Sequence, residues 1–116
     1  MPGEERMESL ASELRRGTVV LAVLSLLRDR QYGYSLTQRL EELGMPVDQS
    51  TLYPLLRRLE KQGLLDSDWA LEESRPRRYY VLSAQGRGVF GQLTMEWAAV
   101  VAAMERVLHR EDGEQE

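Results

Sequence analysis

Hydrophobic positions along the chain predict three helices, then a pair of strands, then one long helix. Residues 1 to about 8 are polar and expected to be loose, and Leu10 and Leu14 suggest a short helical lead-in. Val19 to Leu27 is apolar on almost every side, which as a helix makes it a buried central one. Val19, Val20 and Val23 also suit a strand, but the length of the run and its leucines favour the helix. Tyr32-Gly33-Tyr34-Ser35 marks a turn into a second helix with Leu36, Leu40 and Leu43 on one face. Gly44 ends it, and Pro46 prevents it from continuing.

The third helix carries the clearest signal. Asp48 is placed to cap its N-terminus and Gly63 to end it. At about 100° per residue, Leu52, Leu55, Leu56 and Leu59 share one stripe. Ser50, Pro54, Arg57 and Lys61 lie almost opposite, with Tyr53 and Arg58 flanking them. Pro54 removes the hydrogen bond to the Ser50 carbonyl and is expected to bend or loosen the first turns. Leu64 to Glu72 and Arg78 to Leu82 then read as strands joined by a polar tip, Glu73-Ser74-Arg75-Pro76-Arg77.

Ser83 is placed to cap a last helix running to about His109, roughly 39 Å long and longer than the small domain it leaves. Phe90, Leu93, Trp97, Val100, Met104 and Val107 fall on the a and d positions of a heptad, so this helix needs a partner. Gly86, Gly88 and Gly91 weaken its start by about 1 kcal/mol each relative to alanine, unless close backbone packing compensates. Four segments follow: a loose N-terminus at 1–8, a domain at 9–83, a long helix at 84–109 and an acidic tail at 110–116. The fold class is mainly α (α+β).

A length of 116 residues with 42% hydrophobic content fits one compact domain with a protruding element. The absence of cysteine excludes disulfides and thiolate metal sites and fits a reducing cytoplasm. No apolar run reaches the roughly 18 residues that span a bilayer, and Met-Pro-Gly-Glu-Glu does not resemble a secretory signal. The chain is therefore expected to be soluble and cytoplasmic.

A net charge of -4 conceals an uneven distribution, because residues 28–87 hold ten basic and nine acidic groups while the acid excess lies mostly at the ends. Phosphate responds to a local field, screened beyond about 8–10 Å, so a basic face can sit on an acidic protein. Here the outward side of the third helix offers Arg57, Arg58 and Lys61, with Arg75, Arg77 and Arg78 beside it. A cationic helix next to a cationic hairpin is the layout of a winged helix-turn-helix with a two-stranded wing.

The residues that carry the likeness are Gly17, Tyr32-Gly33-Tyr34-Ser35-Leu36, the run Ser50 to Leu64 (STLYPLLRRLEKQGL), and Arg77-Arg78-Tyr79-Tyr80-Val81-Leu82-Ser83. In that order and spacing, over about residues 17–108, the chain resembles the PadR family of transcriptional regulators. It is similar to the short subgroup with a single C-terminal helix. The resemblance implies a homodimeric repressor whose third helix enters the major groove of an operator, whose wing touches the flanking backbone, and which an effector releases. Ser50, Thr51, Tyr53 and Pro54 are then expected against bases or sugar. Arg57, Arg58 and Lys61, with Arg75, Arg77 and Arg78 from the wing, are expected mostly on phosphate. Arg57 is also the best candidate for two-bonded guanine readout. Two departures from the family pattern are the glycine-free tip Glu72-Glu73-Ser74-Arg75-Pro76 and Ser83 in place of a threonine.

Each assignment has a plainer counterpart. Arg57, Arg58 and Lys61 also suit the solvated side of an amphipathic helix, and the wing arginines suit ordinary loop charge. Tyr79 and Tyr80, adjacent on a strand, point to opposite faces and read as sheet aromatics. Trp97 either packs against its symmetry mate or joins it to clasp a planar aromatic effector. Asp66 and Asp68 share a strand face, but without a third ligand they read as edge charges, so no metal and no cofactor are expected. No residue set suggests an enzyme. The alternative to DNA binding is a winged-helix protein-interaction module that assembles through its long helix.

Overall fold

The computed structural model describes residues 2–110. Its elements are α1 (Gly3–Leu26), β1 (Gln31–Tyr32), α2 (Gly33–Glu42), α3 (Gln49–Lys61), β2 (Leu65–Glu72), β3 (Arg75–Leu82) and α4 (Ala84–Leu108). The predicted acidic tail lies, apart from Arg110, outside the described residues.

The start of the chain differs from expectation. Residues 3–8, expected from their polarity to be loose, form the first turns of α1, which continues unbroken into the apolar run. The physical reason is local: Glu4 and Glu5 occupy the first turn, where they complement the helix dipole, and the following Glu, Arg, Met, Leu and Ala are strong helix formers. Burial did not signal this half, because Met7, Leu10 and Leu14 remain exposed. The second half sinks into the domain, with Val23, Leu24 and Leu27 fully buried.

Around them close Leu36 and Leu40 of α2, the leucine stripe of α3, Leu65 of β2, and Tyr80 and Leu82 of β3. Leu52, Leu55, Leu56 and Leu59 are all buried, and each contributes about 1.5–3 kcal/mol relative to an exposed position. The turn from α2 toward α3 needs a glycine, since Gly44 holds φ at +89° while Met45 N–H donates back to the Leu40 carbonyl at 2.8 Å. The Asp48 carboxylate accepts from Thr51 N–H at 2.9 Å, capping α3 as the sequence predicts.

The sheet has three antiparallel strands in the order β1-β3-β2, so the wing hairpin is extended by a two-residue strand that the hydrophobic pattern does not predict. Tyr32 pairs with Tyr79, and the hairpin register runs from Leu65↔Leu82 to Glu72↔Arg75. The expected five-residue tip is in fact a two-residue turn: Glu73 and Ser74 carry positive φ values of 51° and 66°, and β3 begins at Arg75. Two successive left-handed residues match the right-handed twist of a hairpin, which explains the tight closure.

Ser83 joins the sheet to α4 through three bonds. Its N–H donates to the Leu64 carbonyl at 3.0 Å, its hydroxyl donates to the Gly63 carbonyl at 2.6 Å, and the same oxygen accepts from Gly86 N–H at 2.9 Å. Gly86 is buried against the Leu64 backbone, so this glycine permits close packing, whereas Gly88 faces open space. Phe90 and Leu93, which the heptad pattern gave to a partner, pack partly against the chain's own core. Beyond them α4 leaves the domain with Trp97, Val100, Met104 and Val107 exposed.

Candidate nucleic-acid interface

The stripe of leucines decides which way α3 turns its cations. With that side buried, Ser50, Pro54, Arg57, Arg58 and Lys61 are all exposed, and Thr51 is exposed beside them. None of Arg57, Arg58, Lys61 or Arg75 has a carboxylate within ion-pair distance among the described residues. Ser50 donates its hydroxyl to Asp48 Oδ1 at 2.7 Å. That bond, followed by those from Thr51, holds the Asp48 carboxyl below its usual range and fixes the first turn of the helix.

Tyr53 is half-buried because its ring lies across Gly33 at the start of α2. A Cβ at Gly33 would overlap that ring and stand 3.1 Å from its hydroxyl oxygen. Glycine here lets the two helices approach, and it sets Tyr53 beside the wing.

Between α3 and the wing lies an open cleft of about 720 Å³ whose lining includes Tyr34, Tyr53, Arg57, Trp69, Arg75 and Pro76. Tyr34 and Trp69 are half or more exposed, and although the sequence offers the helix start at Gly33-Tyr34 as free amides for a phosphate, it assigns neither of these two side chains to the site. The available signal was the strand period, which puts Trp69 on the same side of the hairpin as Tyr80 and therefore toward α3.

Two of the predicted wing residues are engaged elsewhere. Arg78 donates to both oxygens of Glu60 at 3.0 and 3.1 Å and to the Ser67 hydroxyl at 3.1 Å, and that hydroxyl donates to Glu60 at 2.6 Å. A two-bonded arginine of this kind ties α3 to the sheet, and breaking it to reach phosphate would leave Glu60 unpaired. Arg77 lies 4.4 Å over the Tyr32 ring and 3.5 Å from Glu72, largely covered. Arg75, in contrast, is exposed at the tip side of β3 and has no such tie among the described residues.

The opposite face of the sheet is braced by a stack of rings and guanidiniums. Arg30 sits 3.9 Å over Tyr79 and donates to Asp68 at 2.8 Å, while Tyr79 meets Tyr32 edge to face at 5.4 Å. The Tyr79 hydroxyl donates to Glu72, which pushes its pKa above the usual phenol value. Arg30 holds the Asp68 carboxyl below its usual range. Tyr80, on the other side, is pushed up by burial. The two tyrosines thus occupy opposite faces, as their adjacency predicts. Asp68 serves as the partner of Arg30, and among the described residues no group of three or more His, Cys, Asp or Glu is positioned to hold a metal ion.

Residues 21–92 match the family described as "Transcriptional regulator PadR-like family". The chain is 41% identical over 76 residues to the transcriptional regulator Rv3488 of Mycobacterium tuberculosis, covering 65% of this chain and 71% of that protein. Among solved structures it is similar to a PadR family transcriptional regulator from Eggerthella lenta, with a TM-score of 0.88 and 41% identity over 93% of this chain and 96% of the other. A transcriptional regulator from Clostridium thermocellum gives a TM-score of 0.75 and 29% identity, over 82% of this chain and 97% of that one.

Proposed function

The chain belongs to the PadR-like family of transcriptional regulators, and from that premise we propose a homodimeric repressor that grips duplex DNA through α3 and the β2–β3 wing. The observation that carries this reading is the exposed set Arg57, Arg58 and Lys61 on α3, unpaired among the described residues, with Arg75 next to it on the wing. A helix with its side chains is about 10–12 Å across, which suits a major groove about 12 Å wide. Ser50, Thr51 and Pro54 then face base edges or sugar, Arg57 reads a base, and Arg58, Lys61 and Arg75 hold phosphate.

Assembly rests on α4. Trp97, Val100, Met104 and Val107 form an exposed apolar stripe, and an open groove of about 660 Å³ between α1 and α4 is lined by Leu14, Leu21, Trp97 and Val101. A contiguous apolar face of this kind favours a partner, and a second copy supplies the same stripe. Trp97 then stands near its symmetry mate, and a planar aromatic effector entering beside it would release the DNA by repacking the interface. No helix among the described residues is long and apolar enough to cross a membrane, and the proposed place of action is the cytoplasm.

Selection of bound fragments from genomic DNA tests this function. Enrichment of a twofold-symmetric site, with half-sites about 34–36 Å apart or a multiple of that, is the expected outcome. Arg57→Ala should then lose more affinity on the selected site than on random DNA. Recovery no better than bulk DNA would reassign the domain to protein interaction.

A further inference from the structure

In the proposed interface the wing flanks α3 on one side. The other flank faces a second cleft of about 550 Å³, between α3 and the middle of α1. Three arginines line it: Arg58 from α3, and Arg15 and Arg16 from α1. On α1 the residues facing this cleft are Ser12, Arg15, Arg16, Val19 and Val20, a spacing of three, four, seven and eight that marks a single helical face.

We propose that Arg15 and Arg16, with Arg58, grip the phosphates of the DNA strand lying across the major groove from the wing. The proposal rests on the reading that α3 enters that groove. Its geometry follows from the helix itself. Tyr53 and Arg57 line the wing cleft, Thr51, Pro54 and Arg58 line the α1 cleft, and Ser50, Pro54 and Lys61 lie along the crest between them. A helix that fills the groove has a phosphate backbone along each of its flanks. The wing offers Arg75 to one backbone; α1 is the element positioned to meet the other.

Electrostatics agree. Arg15, Arg16 and Arg58 are exposed and form no ion pair among the described residues. The carboxylate in the lining is Asp48, held at the cap of α3 by the Ser50 hydroxyl and Thr51 N–H; its single negative charge is outnumbered by the three arginines, which leaves the cleft net positive. Val19, Val20, Val47 and Leu55 make part of the cleft wall apolar, which concentrates the field of the arginines toward its mouth.

Salt dependence of binding to a selected operator fragment decides the matter. Because Arg15 also borders the α1–α4 groove, Arg16→Ala is the deciding variant and Arg15→Ala/Arg16→Ala the reinforcing one. Removing one arginine from a phosphate should flatten the slope of log K against log salt by about 0.9, which becomes about 1.8 for Arg16→Ala in a symmetric dimer. Arg16→Lys should restore the slope, and circular dichroism melts of all variants should match the wild type. Neutral methylphosphonate linkages in the strand away from the wing should erase the difference between Arg16→Ala and wild type. The same linkages on the wing side should not. A wild-type slope in Arg16→Ala, alongside a flattened slope in Arg75→Ala, overturns the role of α1 while leaving the DNA-binding reading intact. Salt-insensitive binding by the wild type overturns that underlying reading.

Discussion

Adding one methyl group at Gly86 should destabilise the fold, although the residue lies in a helix where alanine is intrinsically better. A Cβ there would overlap the Leu64 carbonyl oxygen, stand 2.9 Å from the carbonyl carbon and 3.2 Å from Leu82 Cδ2. Ordinary carbon contacts are about 3.5–4.0 Å, so the start of α4 must retreat by more than about half an ångström. That retreat pulls on the three bonds made by Ser83 to Leu64, Gly63 and Gly86. Overpacking costs about 1–3 kcal/mol and a weakened cap about 1, against a propensity gain of about 1, leaving a net loss of about 1–3 kcal/mol. For a domain of this size that lowers Tm by roughly 4–12 °C. Thermal and urea unfolding followed by circular dichroism, at one fixed protein concentration, provide the assay. Gly88→Ala is the internal control: with open space around it, it should raise stability by up to about 1 kcal/mol. Equal or increased stability in Gly86→Ala would refute the close approach of α4 to Leu64.

Four further outcomes follow from the same geometry. Replacing Glu73-Ser74 with Asn-Gly relieves two left-handed residues and should add about 1–2 kcal/mol by urea denaturation, with no gain if the tip is looser than a two-residue turn. Arg78→Ala should cost about 1–2 kcal/mol by removing the bonds to Glu60 and Ser67 yet keep the salt slope of DNA binding, whereas Arg75→Ala should flatten that slope and leave Tm unchanged. Because Arg30 depresses the pKa of Asp68, the stabilisation from this pair is present above the ordinary carboxylate range and is lost as pH falls through the depressed value. Melts of Asp68→Asn and wild type should therefore differ near neutrality and converge in acid. Val100→Asp should shift sedimentation from dimer to monomer, and an unchanged sedimentation coefficient would remove α4 from the assembly.

The parts of the fold most legible in the sequence were those with a repeated local signal. Four leucines within one arc of α3 oriented its cations, and Asp48 and Ser83 announced their caps by type and position. Other features left no local trace. Two residues of β1 are too few to show a strand period, and residues 3–8 at the start of α1 are too polar to show an apolar one, although Leu10 and Leu14 do mark the helix that follows. The wing turn is hidden in the sequence because Glu73 and Ser74 adopt positive φ without glycine or asparagine, and because Pro76 argues against a strand. At Pro76, however, β3 pairs with β2 alone, so a proline is tolerated there. The engagement of Arg77 with Tyr32 and of Arg78 with Glu60 involves partners far away in the chain that only the folded arrangement brings close.

Salt titration of wild-type binding to duplex DNA measures most directly whether the outward side of α3 serves as a cationic grip. A dimer that neutralises about 6–10 phosphates should lose about 10³ to 10⁵-fold in affinity between about 50 and 200 mM salt. An affinity that stays level across that range would contradict the assignment of Arg57, Arg58, Lys61 and Arg75 to DNA.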